Sequence, residues 1–148
     1  MFSKIVVGVD GSETSDNAVR IACDLAQKYD GVLHIVHTPQ PQTVAFALGA
    51  VAGYHAVTTM PSQQDIETAA HKIVDDATAV AQSCGCSIAA SRMGQGDPGT
   101  EITRCAEEIG ADLIVTGRRG LGSIGSLVQG STSQRVNHLA KCATLSVI

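Results

Sequence analysis

The chain has 148 residues, the length of one ordinary domain, and we expect a single domain over residues 1–148. The net charge of −4 and the small aromatic content (two Tyr, two Phe, no Trp) argue against a nucleic-acid-binding surface. Five cysteines, an odd number without a disulfide framework, indicate a reducing, cytoplasmic compartment. We expect neither a signal peptide nor a membrane span, because no apolar run approaches the roughly 20 residues that a span needs.

The first third of the chain predicts strand, helix and strand in turn. A Val- and Ile-rich run at 4–9 ends in Asp10-Gly11-Ser12, which is typical of a buried strand followed by a turn. Apolar residues then recur at helical spacing from about 13 to 29, where Asp30-Gly31 provides a stop. A second apolar run at 32–38 predicts another strand, which Pro39 and Pro41 end.

Residues 40–61 form the least regular stretch. An unstructured loop of this length is unusual in a compact domain. We therefore expect a short helix near 44–50 or a flap over a site, and we expect its apolar residues to pack near a ligand entrance or a subunit interface. Ser62 then begins a long helix, with Asp65 at capping-box spacing, and Cys84-Gly85 ends it.

The second half continues the alternation. A strand at 87–93 is followed by Asp97 and Pro98, residue types that suit the N-cap and the first turn of a helix ending at Gly110. A strand at 112–116 leads into a glycine-rich loop at 117–130. Ser131 is predicted to cap a last helix, with Gln134 in capping-box position, before a final strand at 144–148.

This order of elements predicts a doubly wound α/β domain with a five-stranded parallel sheet and helices on both faces. In such folds ligands bind at the carboxyl ends of the strands, where the strand order reverses. The loops after the first and fourth strands share a cleft if those strands are neighbours, which favours the order 3-2-1-4-5.

The glycine-rich loop has the composition of a phosphate-binding loop. Glycines let backbone N–H groups approach an anion, and the unpaired first N–H groups of the helix at Ser131 carry partial positive charge. After Asp112 the chain has no acidic residue, whereas Arg118, Arg119, Arg135 and Lys141 remain. The alternative is a flexible connection in front of a capped helix.

Other motifs fit less well. Gly120 to Gly125 spells G-x-G-x-x-G, but the acidic residue expected about 20 positions later for a dinucleotide site is missing. The chain also lacks a P-loop lysine and a nucleophile elbow. His34 and His37 point to opposite faces of one strand, so we interpret them as structural. Cys84 and Cys86 are a close pair that leaves a redox or metal site open, although no second pair stands at zinc-ligand spacing.

The segment Gly117-x2-Gly120-x9-Gly130-Ser131 resembles the ATP-binding signature of the universal stress protein family. The runs at 5–12, 33–37, 96–98 and 111–117 are similar to other motifs of that family, so the resemblance covers the whole chain. It implies a five-stranded, Rossmann-like fold of the adenine-nucleotide alpha-hydrolase type, a homodimer, and a cytosolic role in stress or growth arrest.

The resemblance also implies a site for ATP with Mg²⁺. Asp10 would approach the triphosphate or its metal, and Thr38 would offer backbone groups to the adenine. The remaining residues implied to contact nucleotide are Val9, Thr116, Gly117, Arg118, Gly120, Gly130, Ser131, Thr132 and Ser133. Among these, the two glycines at 117 and 120 would lie under the ribose and phosphates, and residues 130–133 would cradle the phosphates.

Two functions remain open. The first is a nucleotide-binding sensor, in which ATP occupancy changes contacts within a dimer or with an unknown protein partner. The second is a weak ATPase or phosphoryl- or nucleotidyl-transferring enzyme, which Arg118 and Arg119 keep open because guanidinium groups stabilise phosphoryl charge. The missing general base and catalytic lysine favour the sensor. We also predict an antiparallel homodimer through residues 144–148, an apolar edge strand whose Leu145 and Val147 share one face.

Overall fold

The computed structural model describes residues 1–41, 44, 62–120 and 130–148. Strands and helices alternate along these ranges, as the sequence predicts. In chain order they are β1 (Lys4–Val9), α1 (Glu13–Tyr29), β2 (Val32–His37), α2 (Gln63–Ser83), β3 (Ile88–Met93), α3 (Pro98–Ile109), β4 (Leu113–Gly117), α4 (Ser131–Leu139) and β5 (Ala143–Val147).

The strands form one parallel sheet in the order β3-β2-β1-β4-β5, which confirms the predicted fold class and strand order. The central strand β1 pairs with both β2 and β4. Its residue Gly8 lies opposite Val36 on one side and Thr116 on the other. The carboxyl ends of β1, β2 and β4 therefore meet at one edge of the sheet, where the order reverses.

Two apolar clusters fill the space on either side of the sheet. The larger one joins α1 and α2 to one face, and the smaller one joins α3 and α4 to the other. Ile5, Val6 and Val7 of β1 are all fully buried, because helices cover both faces of the central strand. This double covering explains why β1 is a continuous apolar run rather than an alternating one.

Local signals set most of the helix ends. Ser12 caps α1, and Ser62 with Asp65 forms the predicted capping box on α2. Asp97 caps α3, and Gly110 ends it in the left-handed conformation at φ 63°. No helix in these described ranges is long and apolar enough to cross a membrane.

The predicted cap at Ser131 is wrong. The N-cap of α4 is Gly130, which has extended backbone and makes no side-chain cap hydrogen bond, so that Ser131 is the first helical residue. The helix starts there because Gly130 N–H donates to the carbonyl of Arg118 at 2.7 Å. That approach leaves little room for a side chain, since a Cβ on Gly130 would lie 3.3 Å from the same oxygen.

Most of the irregular stretch at 40–61 lies outside the described residues, and so does the predicted helix at 44–50 apart from Val44. Val44 is helical and buried, and its N–H donates to the carbonyl of Gln40 at 3.1 Å. The glycine-rich loop is described at its two ends, 117–120 and 130. At the other end of the chain, β5 lies at the edge of the sheet as predicted, with Leu145 exposed and Val147 buried.

Candidate functional site

The loops after β1 and β4 touch each other, because these strands are neighbours. The Thr14 hydroxyl donates to the carbonyl of Arg119 at 2.5 Å and lies 3.0 Å from the Ser12 hydroxyl. Ser12 in turn donates from its backbone N–H and its hydroxyl to Oδ1 of Asp10, at 3.0 and 2.5 Å. This chain of hydrogen bonds fixes the Asp10 carboxylate beside the start of the glycine-rich loop.

Two glycines of that loop make the close approach possible. A Cβ on Gly117 would lie 3.0 Å from the Thr14 hydroxyl, and a Cβ on Gly120 would collide with Oδ2 of Asp10. Both contacts are tighter than ordinary side-chain packing allows. The two glycines therefore bring the backbone of residues 117–120 against the Asp10 turn.

The far end of the loop is fastened to its beginning. Besides the bond from Gly130, the Ser133 hydroxyl donates to the carbonyl of Arg118 at 3.1 Å and to that of Gly130 at 3.0 Å. The first turn of α4 consequently lies over Arg118. Its leading N–H groups, which have no acceptor within the helix, stand at the same edge of the sheet as Asp10.

Four buried polar atoms lack a hydrogen-bond partner among the described residues. They are Nε2 of His37, Oγ1 of Thr38, and Nε of Arg118 and Arg119. His37 and Thr38 stand where β2 ends, and the two arginines follow β4. Buried polar groups in proteins are normally satisfied, so unpartnered ones concentrated at one edge indicate a place for a polar ligand.

His37 was interpreted from the sequence as structural, and the structure places it beside the cleft. Its Nδ1 lies 2.8 Å from the carbonyl of Val9, which makes Nδ1 the donor and leaves Nε2 as an acceptor in the neutral ring. Burial lowers the pKa of His37 below its ordinary value, against the opposing effects of the Val9 carbonyl and the Asp10 charge. A neutral imidazole is therefore buried at the end of β2.

The end of β2 is tied to the segment after β3. Gly94 N–H donates to the carbonyl of His37 at 2.7 Å, and a Cβ on Gly94 would lie 2.8 Å from both the Thr38 hydroxyl and Glu101. Glu101 is buried and pairs with Arg104 at 2.5 Å. The segment after β3 therefore packs closely against the end of β2, where Thr38 is buried.

The structure brings most of the residues predicted for the site to one edge of the sheet. Val9, Asp10, Thr38 and residues 116–120 follow or end β1, β2 and β4, and residues 130–133 begin α4. Thr14 was missed by the sequence analysis, and no spacing signal identifies it, because its partner Arg119 lies 105 positions away in the chain. Within the described part of the chain no three His, Cys, Asp or Glu side chains are grouped to hold a metal ion.

The all-parallel sheet, whose strand order reverses between β1 and β4, places the chain in the class of open α/β folds, in which ligands generally bind at the carboxyl ends of the strands. The model of the universal stress protein family matches residues 1–147. A universal stress protein of Thermus aquaticus is 35% identical over 147 residues, covering 99% of both chains. The universal stress protein YxiE of Bacillus subtilis is 30% identical over 150 residues, with the same coverage.

Among solved structures, a universal stress protein in complex with cAMP is 27% identical to this chain. The match has a TM-score of 0.69 and covers 99% of this chain and 96% of the other. The chain belongs to the universal stress protein family.

Proposed function

We propose that this protein binds ATP with Mg²⁺ in the cleft between the β1 and β4 loops. It acts in the cytoplasm as a homodimeric, single-domain sensor or regulator of a stress response, through contacts with a partner protein. The observation that carries the nucleotide assignment is the group of four unpartnered buried polar atoms at the rim of that cleft. The related structure in complex with cAMP, an adenine nucleotide, supports the same class of ligand.

The residues at the cleft fit the chemistry of a nucleotide. Val9 and Thr38 lie at the ends of β1 and β2, and in this proposal their backbone groups bind the adenine ring. Gly117 and Gly120 leave a surface without side chains for the ribose and phosphates. Arg118 and residues 130–133 add a guanidinium group and a helix N-terminus, both of which favour phosphate oxygens.

The Mg²⁺ belongs to the nucleotide in this proposal. Asp10 is the carboxylate assigned to it, and one of its oxygens already accepts two hydrogen bonds from Ser12. A metal bridging phosphate oxygens needs one or two protein carboxylates rather than a complete protein cage. The single assigned carboxylate therefore agrees with indirect metal binding through the nucleotide.

The alternative function is weak ATP hydrolysis or group transfer. It rests on Arg118 and Arg119, whose Nε atoms are buried without a partner among the described residues. Guanidinium groups held at such a place stabilise the charge of a transferring phosphoryl group. Release of labelled phosphate from ATP by the purified protein distinguishes this enzyme from the sensor, which binds ATP without turnover.

A glutamate at the start of α4 tests the site. Gly130→Glu brings a carboxylate to the assigned phosphate position, so we expect ATP affinity to fall at least about tenfold, which corresponds to about 1.4 kcal/mol. Asn137→Glu is the control, because Asn137 is exposed on the same helix beyond its first turn. Calorimetry with ATP measures both variants. A folded Gly130→Glu protein that binds ATP as tightly as the parent would refute the assignment.

The dimer is tested at the edge strand. Leu145 of β5 is 37% exposed, and Ile21 on α1 has the same exposure. We expect Leu145→Glu to convert a dimeric parent into monomers, because the charge would be buried in the interface between two β5 strands, whereas Ile21→Glu stays dimeric. Sedimentation at micromolar concentration measures this. A parent that sediments as a monomer excludes the dimer.

A further inference from the structure

Three cysteines meet at the amino end of the sheet, opposite the proposed nucleotide cleft. Cys23 and Cys86 belong to the same buried apolar cluster, and Cys84 packs against it. The Cys86 and Cys84 thiols are both near enough to Cys23 to raise the pKa of its thiol. Cys23 is therefore the centre of the group, with two neighbours that come from the end of another helix.

The end of α2 explains this arrangement. Cys84 is the C-cap of α2, and Gly85 follows at φ 71°, a left-handed conformation that turns the chain back. Cys86 N–H then donates to the carbonyl of Ala81 at 3.1 Å, which directs Cys86 into the core. A short hydrogen bond from Nε2 of Gln27 to the Cys84 carbonyl fastens the turn to α1, one helical turn beyond Cys23.

The three thiols differ in their access to solvent. Cys23 is completely buried and Cys86 is 9% exposed, whereas Cys84 is partly exposed, and all three are free. Burial, followed by the neighbouring Cys86 thiol, raises the pKa of Cys23 well above its ordinary value. Cys84 is therefore the thiol that a dissolved oxidant meets first, and Cys23 is a protonated neighbour behind it.

We propose that this group is a site of oxidation, reversible by a dithiol reductant, in which hydrogen peroxide oxidises Cys84 and Cys23 completes a Cys23–Cys84 disulfide. In the first step the Cys84 sulfur attacks one peroxide oxygen. The S–O bond forms, the O–O bond breaks, and the other oxygen leaves as water with the thiol proton. In the second step the Cys23 sulfur attacks the Cys84 sulfur, and the hydroxyl leaves as water with the Cys23 proton. One peroxide is reduced while two thiols are oxidised.

The disulfide would join α1 to the C-terminal end of α2. Both helices lie on the same face of the sheet, and Gln27 already links them at this point. No side chain of the nucleotide cleft takes part, because the cleft lies at the opposite ends of the strands. The modification is consequently independent of ATP binding, and its test does not rely on the proposed function.

The test exposes the purified full-length protein to hydrogen peroxide, blocks remaining thiols with N-ethylmaleimide, and maps disulfide-linked peptides by mass spectrometry. We expect a Cys23–Cys84 linkage that dithiothreitol reverses. Cys84→Ser removes the linkage, and Cys23→Ala leaves Cys84 to proceed to sulfinic acid. Cys142→Ser is the matched control, because Cys142 is also partly exposed but packs on the opposite face of the sheet, and it keeps the linkage.

Several results overturn the proposal. One is a Cys84 that reaches the sulfinic state in the parent as fast as in Cys23→Ala, with no disulfide. Another is a linkage of Cys84 to Cys86, or to Cys142 of a second copy, in place of Cys23. Because Cys23 is fully buried, its variant is used only if its thermal unfolding is cooperative, and the disulfide map of the parent decides the question by itself.

Discussion

Thr14→Val tests whether the contact between the β1 and β4 loops supports the cleft. The Thr14 hydroxyl donates to the Arg119 carbonyl at 2.5 Å, and this side-chain hydrogen bond directly joins the two loops. Valine has nearly the shape of threonine but lacks the hydroxyl that reaches both the Arg119 carbonyl and the Ser12 hydroxyl. The change therefore removes one polar group and leaves the packing of α1 intact.

The expected loss of stability is about 1 kcal/mol, the usual net value of a protein hydrogen bond. This value is at the lower end of the range for leaving a hydrogen-bonding group without its partner, because Thr14 is partly exposed and water can reach the Arg119 carbonyl. For a domain of this size the loss corresponds to a fall of roughly 2–4 °C in Tm. If the turn at 117–120 must then be ordered by the ligand, ATP affinity falls by up to about fivefold.

Thermal unfolding and calorimetry with ATP measure the two quantities. Thr103→Val is the control, because the Thr103 hydroxyl donates to carbonyls of its own helix, those of Gly99 at 3.0 Å and Thr100 at 3.0 Å. We expect it to leave ATP affinity unchanged. A Thr14→Val protein with the Tm and the affinity of the parent would show that the loops are held by other contacts, and the reasoning would fail.

Two further substitutions probe the cleft. Gly120→Ala makes a Cβ collide with Asp10, so we expect a larger loss in the free energy of ATP binding than in the free energy of unfolding. Gly96→Ala is the control, because Gly96 lies in open space at φ 85°. We expect it to lower the free energy of unfolding and to leave the ATP affinity measured by calorimetry unchanged. Burial lowers the pKa of His37, so the unfolded chain binds the proton first and stability is lost as pH falls through about 6.5. Urea unfolding at about pH 7.5 and about pH 5.5 measures the stability that each protein loses between these two pH values. We expect His37→Gln to lose less stability than the parent or than His71→Gln, in which an exposed histidine is replaced. Equal losses in the three proteins would contradict this.

The sequence predicts the fold well because its signals are local and agree with one another. Ser62 with Asp65, and Asp97 before Pro98, place helix starts where the structure has them. The alternation of strand and helix then restricts the sheet to a few parallel topologies. The predicted order of strands came from the assumption that the loops after β1 and β4 meet, and the observed pairing of β1 with β4 confirms that order.

Local signals fail where distant segments decide the geometry. Ser131 has the residue type and spacing of an N-cap, yet the N-cap of α4 is Gly130, because that residue is held by the Arg118 carbonyl. Thr14 lies in the first turn of α1 with no motif around it, and only the fold brings it to Arg119. His37 has the pattern of a buried strand residue, and its unpartnered Nε2 depends on what surrounds the end of β2.

The glycine pattern at 117, 120 and 130 has a reason within the protein, besides the reason that the proposed ligand would give it. Each glycine stands where backbone meets another segment: Gly117 against Thr14, Gly120 against Asp10, and Gly130 against Arg118. These approaches are needed to close the cleft even before a nucleotide enters it. A larger residue at any of the three would therefore push the loops apart, as well as obstruct a phosphate in the proposed site. Loss of ATP binding on substituting one of these glycines thus has two causes, the separation of the loops and the obstruction of the phosphate. Thr14→Val is expected to loosen the loops without adding an atom to the cleft, so it separates the first cause from the second.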